Sequence, residues 1–205
     1  MRIGAPDARP ILILPPLFEE LNRTRAFLAS VMRRLAESGF GCWLPDLPGT
    51  GESELELRSA SWVDWRHAVQ GAANHASRQG GRTVCTVAAR GGCLFDDAVT
   101  AAASWRLAPV AGASLSRDLT RAGLVSGTPY GGYSPDPELV ATLESAAPRP
   151  VPALRTVRLA SDTAEADAKL EGPTLWRRSE PGNAPELSDA IASDIYEWFQ
   201  QCAVS

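Results

Sequence analysis

The sequence is short of histidine: it has only His67 and His75, and no histidine follows them. Chemistry that needs an imidazole base from late in the chain is therefore excluded. With so few imidazoles a metal centre is not expected either. The four cysteines, Cys42, Cys85, Cys93 and Cys202, form no C-x-x-C pair and show no regular spacing. That leaves no zinc knuckle or dithiol centre, and three of them sit in apolar segments and read as reduced core residues. No apolar run approaches the length needed to cross a bilayer, and Met1 to Pro10 is too polar for a secretory signal. The expected compartment is the cytoplasm. Basic residues form no block: 20 Lys and Arg against 24 Asp and Glu give a formal charge of −4, so a nucleic-acid partner is not expected. Internal repeats and low-complexity tracts are also missing.

What is present has the ordinary make-up of a globular protein, with 205 residues, 44% of them apolar and 21% charged. One domain spanning 1–205 is expected. Ile11-Leu12-Ile13-Leu14, ended by Pro15-Pro16, reads as a buried parallel strand. Phe27, Leu28, Val31, Met32 and Leu35 follow at helical spacing, and Gly39 takes the stop position. Gly41 to Pro45 is a second strand that delivers the turn-rich loop Asp46 to Ser53. Ser61, with Asp64 three residues on, opens a helix from Trp62 to about Ser77. Beyond the strand at Thr83 to Val87, a helix is expected from Gly92 to Ala103, with a weaker strand at Leu107 to Ala111. Pro137 to Ser145 reads as a short helix, Ala153 to Ala160 and Pro173 to Trp176 as two strands. The stretch from Asn183 starts a last helix that buries Ile191, Ile195, Trp198, Phe199 and Cys202. Alternating strands and helices imply an α/β fold. It would be a doubly wound, mostly parallel sheet of about six strands, with helices on both faces. Its crevice would lie at the C-terminal strand ends.

The stretch from Thr83 to Phe95 is the organising element. An apolar strand breaks at small residues and leads into a helix-compatible run, the outline of a nucleophile elbow. The elbow pattern is small-x-nucleophile-x-small, and here it reads Ala88, Ala89, Arg90, Gly91, Gly92. A guanidinium stands where an attacking oxygen or sulfur belongs, and it has no nucleophilic atom to offer. The glycine spacing also misses a dinucleotide fingerprint, and the loop at Asp46 lacks the lysine of a phosphate-binding loop. No cofactor is expected.

Two segments, Leu14-Pro15-Pro16-Leu17-Phe18-Glu19-Glu20-Leu21-Asn22-Arg23 and Leu44-Pro45-Asp46-Leu47-Pro48-Gly49-Thr50-Gly51-Glu52-Ser53, resemble the exosortase A system-associated hydrolases. So do Gly132-Tyr133-Ser134-Pro135 and the run from Trp176 to Gly182. The similarity covers most of the chain from about residue 10. It is strongest to a branch that also carries arginine at the elbow. It implies an α/β-hydrolase fold with a reduced cap, residues 112–152 being a possible lid. It also implies a place beside exopolysaccharide and exosortase functions, with partner proteins of that system.

A working triad in such a fold runs Ser, then Asp or Glu, then His. Arg90, Asp162 and Glu180 occupy the equivalent positions, so no catalytic residue is assigned. A cation at a helix N-terminus is unfavourable by roughly 0.3–1 kcal/mol when exposed. Arg90 therefore needs an acidic neighbour, from Glu19, Glu20, Asp162 or Glu180, or a bound anion. In the second case Arg90 and the backbone of Gly91 and Leu17, beside Phe18, Glu19 and Glu20, would hold a carboxylate, phosphate or sulfate. Tyr130 and Tyr133 line a sugar or acyl pocket or simply pack a loop. The expected function is that of a non-hydrolytic binding or accessory protein with a small-molecule, acyl or carbohydrate-type ligand. The alternatives are an acyl-bond hydrolase using Ser161, Ser179 or Cys93, and a small-molecule binding module outside the exosortase system.

Overall fold

The computed structural model describes residues 1–127 and 129–204. Among these, seven strands form one sheet: β1 (Arg2–Ile3), β2 (Arg9–Leu14), β3 (Phe40–Trp43), β4 (Cys85–Ala89), β5 (Ser104–Leu107), β6 (Leu154–Leu159) and β7 (Ala168–Leu170), in the order β1-β3-β2-β4-β5-β6-β7. Every pairing is parallel except β1 with β3. The helices are α1 (Glu19–Glu37), α2 (Trp62–Gln79), α3 (Gly112–Ser126), α4 (Pro137–Ser145) and α5 (Pro185–Val204). The chain runs outward from β2 to β3, then crosses back to lay β4 on the other side of β2. The strand order thus reverses between β2 and β4, where a doubly wound sheet opens its crevice.

Alternation along the strands sends side chains to two cores. Ile11 and Ile13 of β2 face α1 and α5, where they join Phe27, Val31, Met32, Leu35, Ile191, Ile195 and Phe199. Leu12 and Leu14 face the other way, with Trp65, Val69, Ala73 and Ala76 of α2 and Leu115, Leu119, Leu139 and Leu143 of α3 and α4. The signal at the start of α2 is realised in full: Ser61 Oγ accepts from Asp64 N–H at 3.1 Å, and Asp64 Oδ2 accepts from Ser61 N–H at 3.0 Å.

Three expectations are corrected. No regular helix follows the elbow. Residues Arg90–Leu94 and Asp96–Ala98 form two 3₁₀ turns instead. The cause is Asp96, drawn into a buried pair with Arg106 of β5, whose Nε and Nη2 donate to it at 2.6 and 2.7 Å. The strand expected at Leu107 to Ala111 lies earlier, at Ser104–Leu107. Its polar residues Ser104 and Arg106 are buried because partners satisfy them, and hydropathy alone does not reveal that. The strand expected at Pro173 to Trp176 is not formed. Leu175–Arg177 is a 3₁₀ turn, and the edge strand is Ala168–Leu170, whose single lysine suits an exposed edge.

The elbow is pressed onto the end of β2. A Cβ added at Gly92 would stand 2.2 Å from the Leu14 carbonyl oxygen and 2.6 Å from that of Pro15. Gly71, midway along α2, has nothing within 4 Å of such a Cβ. Gly92→Ala is expected to cost about 3 kcal/mol or more through overpacking against backbone. Gly71→Ala is expected to gain roughly 0.5–1 kcal/mol from helix propensity. Urea unfolding midpoints of the two variants check both signs.

Candidate functional site

β4 ends at Ala89, and Arg90 turns the chain with φ of +54°, in the left-handed region that side chains rarely adopt. The strained corner of a nucleophile elbow is thus present, with arginine on it. The guanidinium is almost fully buried. Its Nε donates to both carboxylate oxygens of Glu20 at 3.2 Å, and Nη2 donates to Oε1 at 2.9 Å. Nη1 donates to the carbonyl of Ala108 at 3.4 Å, and the cation lies 5.0 Å from the centre of the Trp176 ring.

Each partner is delivered by a strand end. Glu20 lies in the first turn of α1, just past β2, where the helix dipole favours a carboxylate. Ala108 follows β5 directly and holds φ of +44°. Trp176 comes from the 3₁₀ turn beyond β7, and its carbonyl accepts from Arg23 Nη1 at 3.1 Å. Burial pushes the Glu20 carboxyl above its ordinary range, and Arg90 opposes that shift. Removing one member of such a pair leaves the other charged and buried, at a typical cost of about 3–5 kcal/mol.

The rim of the crevice is a second cluster. Phe18, the residue before α1, has φ of +55°. Its ring meets Tyr133 edge-on at 5.5 Å and Trp65 at 5.9 Å. Leu17 is buried and packs on the elbow: a Cβ at Gly91 would come within 2.9 Å of Leu17 Cγ and 2.6 Å of Leu115 Cδ1. Glu19 Oε2 accepts from Asn22 Nδ2 at 3.2 Å and from the Tyr133 hydroxyl at 3.4 Å. Tyr130 is partly buried against the α2-side core. The structure therefore brings Arg90, Gly91, Leu17, Phe18, Glu19 and Glu20 to one end of the sheet.

The other triad-equivalent positions do not join them. Asp162 Oδ2 accepts from Arg158 Nη1 at 2.7 Å, and Oδ1 accepts from the Ala164 amide at 3.0 Å. That amide, together with Arg158, holds the carboxyl below its ordinary range. Arg158 also donates to the carbonyl of Pro109 at 3.2 Å, lacing β6 to the end of β5. Glu180 is exposed and makes no contact with Arg90. His67 and His75 are exposed on α2, His75 against the edge of Trp43 at 5.0 Å. Ser161 and Ser179 are exposed. Cys93 is wholly buried, its Sγ 3.4 Å from the Ala88 carbonyl, and burial drives its thiol far up, away from thiolate. Among the described residues no three potential metal ligands lie together. A groove of about 420 Å³ between α1 and α5, lined by Arg34, Glu37, Asp189 and Tyr196, contains no elbow residue.

Sequence reasoning missed Ala108, Asn22, Arg158 and the placing of Trp176. Ala108 and Trp176 carry no local signal because each meets Arg90 from far away in the chain, whereas Arg158 and Asn22 also pair within four residues, with Asp162 and Glu19.

No protein-family model matches the chain, and no curated protein matches it in sequence. Solved structures do. Est1E from Butyrivibrio proteoclasticus, with ferulic acid bound, superposes with a TM-score of 0.62 at 11% identity, over 100% of this chain and 95% of that one. Mouse alpha/beta hydrolase domain-containing protein 10 gives 0.59 at 12% identity, over 98% and 93%. The 2-hydroxy-6-oxo-6-phenylhexa-2,4-dienoate hydrolase of Rhodococcus sp. strain RHA1 gives 0.55 at 13% identity, over 96% and 92%. No described helix is long and apolar enough to cross a membrane.

The lowered Asp162 carboxyl links stability to pH. A carboxyl depressed in the folded state stabilises above its unfolded value and loses that contribution as pH falls through the folded value. The unfolded reference is 3.8. Wild type is therefore expected to exceed Asp162→Asn in stability at neutral pH, with the gap closing as pH drops below about 3.8. Urea unfolding across that range measures it. With its parallel sheet, its crevice between β2 and β4 and its left-handed elbow at residue 90, the chain has the α/β-hydrolase fold.

Proposed function

We propose that this chain binds a ligand in the elbow crevice without cleaving it, as an accessory protein of exopolysaccharide or envelope-protein processing in the cytoplasm. The observation that carries the reading is the state of Arg90. The residue on the nucleophile corner is a cation whose Nε and Nη2 are committed to Glu20. Acyl transfer needs an attacking atom and a base within hydrogen-bond reach of it. Arg90 supplies no attacking atom, both histidines are on α2, and Asp162 is bound to Arg158. The link to exosortase systems rests on the sequence resemblance in the Leu14 to Arg23 and Leu44 to Ser53 segments.

The crevice retains features of a binding site. The first N–H groups of α1 and of the 90–94 turn have no intrahelical partner, and the rings of Phe18, Tyr133 and Trp176 pack nearby. An anionic ligand would have to share the guanidinium with Glu20. A small acyl or carbohydrate-type ligand would not. The Est1E neighbour, a protein of the same fold, has ferulic acid bound, which suits the reading that the ligand here is small. No observation favours the alternative of an active acyl hydrolase. Cys93 is sealed in the core, and among the described residues neither Ser161 nor Ser179 has a base bonded to it.

p-Nitrophenyl acetate and butyrate test this, together with a fluorophosphonate probe and iodoacetamide. Turnover at the buffer rate is expected, with no phosphonyl adduct and with Cys93 labelled more slowly than a free model thiol. Arg90→Ser is expected to restore no activity, since no imidazole comes with it. Turnover abolished by the fluorophosphonate would refute the reading.

A further inference from the structure

Tyr133 sits where the segment between β5 and β6 meets the start of α1. Its hydroxyl accepts from Asn22 Nδ2 at 3.1 Å and donates to Glu19 Oε2 at 3.4 Å. Burial and Glu19 push its phenol up to about 12, so it remains a neutral donor at physiological pH. Its ring closes edge-on against Phe18. Glu19 and Glu20 share the first turn of α1, so the phenol is anchored one residue from the carboxylate that holds Arg90. The same segment begins with α3, whose Leu115 lies on Gly91 of the elbow.

Two features suit this contact to opening. The backbone turns through glycines with positive φ before the 3₁₀ turn Pro129–Gly132 and at its last residue, at Gly127 (+71°) and Gly132 (+95°). Glu19 also has a second partner in waiting. Its other oxygen stands 3.7 Å from Arg23 Nε, a buried atom with no hydrogen-bond partner. A Glu19 carboxylate released by Tyr133 would be able to close on Arg23 and satisfy it. The observed arrangement thus leaves Arg23 Nε short of a bond that a freed Glu19 would supply, which offsets part of the cost of release.

We propose that the Tyr133 hydroxyl is a latch that holds the β5–β6 segment over the elbow crevice and that its release exposes the Arg90–Glu20 site. The proposal takes the crevice to be a binding site. Its test uses neither ligand nor turnover, so the two readings fail separately. Hydrogen–deuterium exchange on the full chain compares wild type with Tyr133→Phe, which keeps the ring on Phe18 and removes only the hydroxyl. Asn22→Ala weakens the latch by removing one of the hydroxyl's two bonds and serves if Tyr133→Phe folds poorly. Loss of one net hydrogen bond corresponds to about fivefold in a local opening equilibrium. Peptides covering residues 90–94 and 129–134 are expected to exchange about fivefold faster in Asn22→Ala, which removes one bond to the phenol, and faster still in Tyr133→Phe, which removes both, with β2 and β6 unchanged. Unchanged exchange at the elbow would overturn the latch. A uniform rise through the sheet would overturn it too, because that marks loss of global stability.

Discussion

A buried cation on a strained corner has to be held from several directions, and the crevice end of this protein is arranged around that requirement. Arg90 sits at φ +54° with its guanidinium out of water. Glu20 neutralises it from the β2 side, the Ala108 carbonyl meets it from β5, and Trp176 covers its face. The elements after these strands converge on one side chain, so the arginine adds a polar tie between strand ends already joined by their hydrogen-bond ladders and the core. The turn that follows is adapted to the charge. A full helix after the elbow would set its positive end against the guanidinium. Here that helix is replaced by the 3₁₀ turns Arg90–Leu94 and Asp96–Ala98, which sum few aligned peptide dipoles.

The same device recurs across the sheet. Arg106 of β5 takes Asp96 in a fully buried two-point pair and also donates to the Arg149 carbonyl. Arg155 of β6 takes Asp194 of α5, whose Oδ1 also accepts from Trp105. Arg158 takes Asp162 and the carbonyl of Pro109. Arg106 and Arg158 each satisfy a carboxylate and reach a backbone carbonyl as well, while Arg155 grips both oxygens of Asp194, the planar geometry for which arginine outperforms lysine. Asp162 shows what this means for chemistry. Its carboxylate is taken up by Arg158 and the Ala164 amide, and it is Arg158 that links β6 to the end of β5.

The two cores were legible because burial there is periodic. Ile11 to Leu14, the Phe27 to Leu35 stripe and the Ser61–Asp64 cap each carry their signal within a few residues. The elbow was legible from five residues, and so was the conflict on it. What escaped is what depends on remote partners. β5 reads as Ser-Trp-Arg-Leu and becomes a buried strand only because Asp96 and Arg149 satisfy Arg106. The shortening of the elbow helix has the same origin, since nothing in Leu94-Phe95-Asp96 announces that its aspartate will be pulled beneath the sheet. At the site, four acidic residues stood as equal candidates for Arg90, and only the placement of α1 against β4 selects Glu20. Tyr133 was visible as an aromatic in a glycine-rich loop, but its bonds to Asn22 and Glu19 span more than a hundred residues of chain.

A left-handed non-glycine residue costs about 1–3 kcal/mol, and such strain usually persists where it positions a reacting group. Here it persists with an arginine on the corner. The packing supplies a reason of its own. Gly92 lies so close to the Leu14 and Pro15 carbonyls, and Gly91 to Leu17 and Leu115, that the chain needs a sharp corner at residue 90 to bring these backbones together. Relaxing Arg90 to an extended conformation would lift both glycines off the end of β2 and carry the guanidinium away from Glu20. The corner is thus over-determined by backbone contact on one side and by a buried ion pair on the other. The charge that stands on this corner is tolerated because Glu20, at the favourable end of α1, neutralises it from within hydrogen-bond reach.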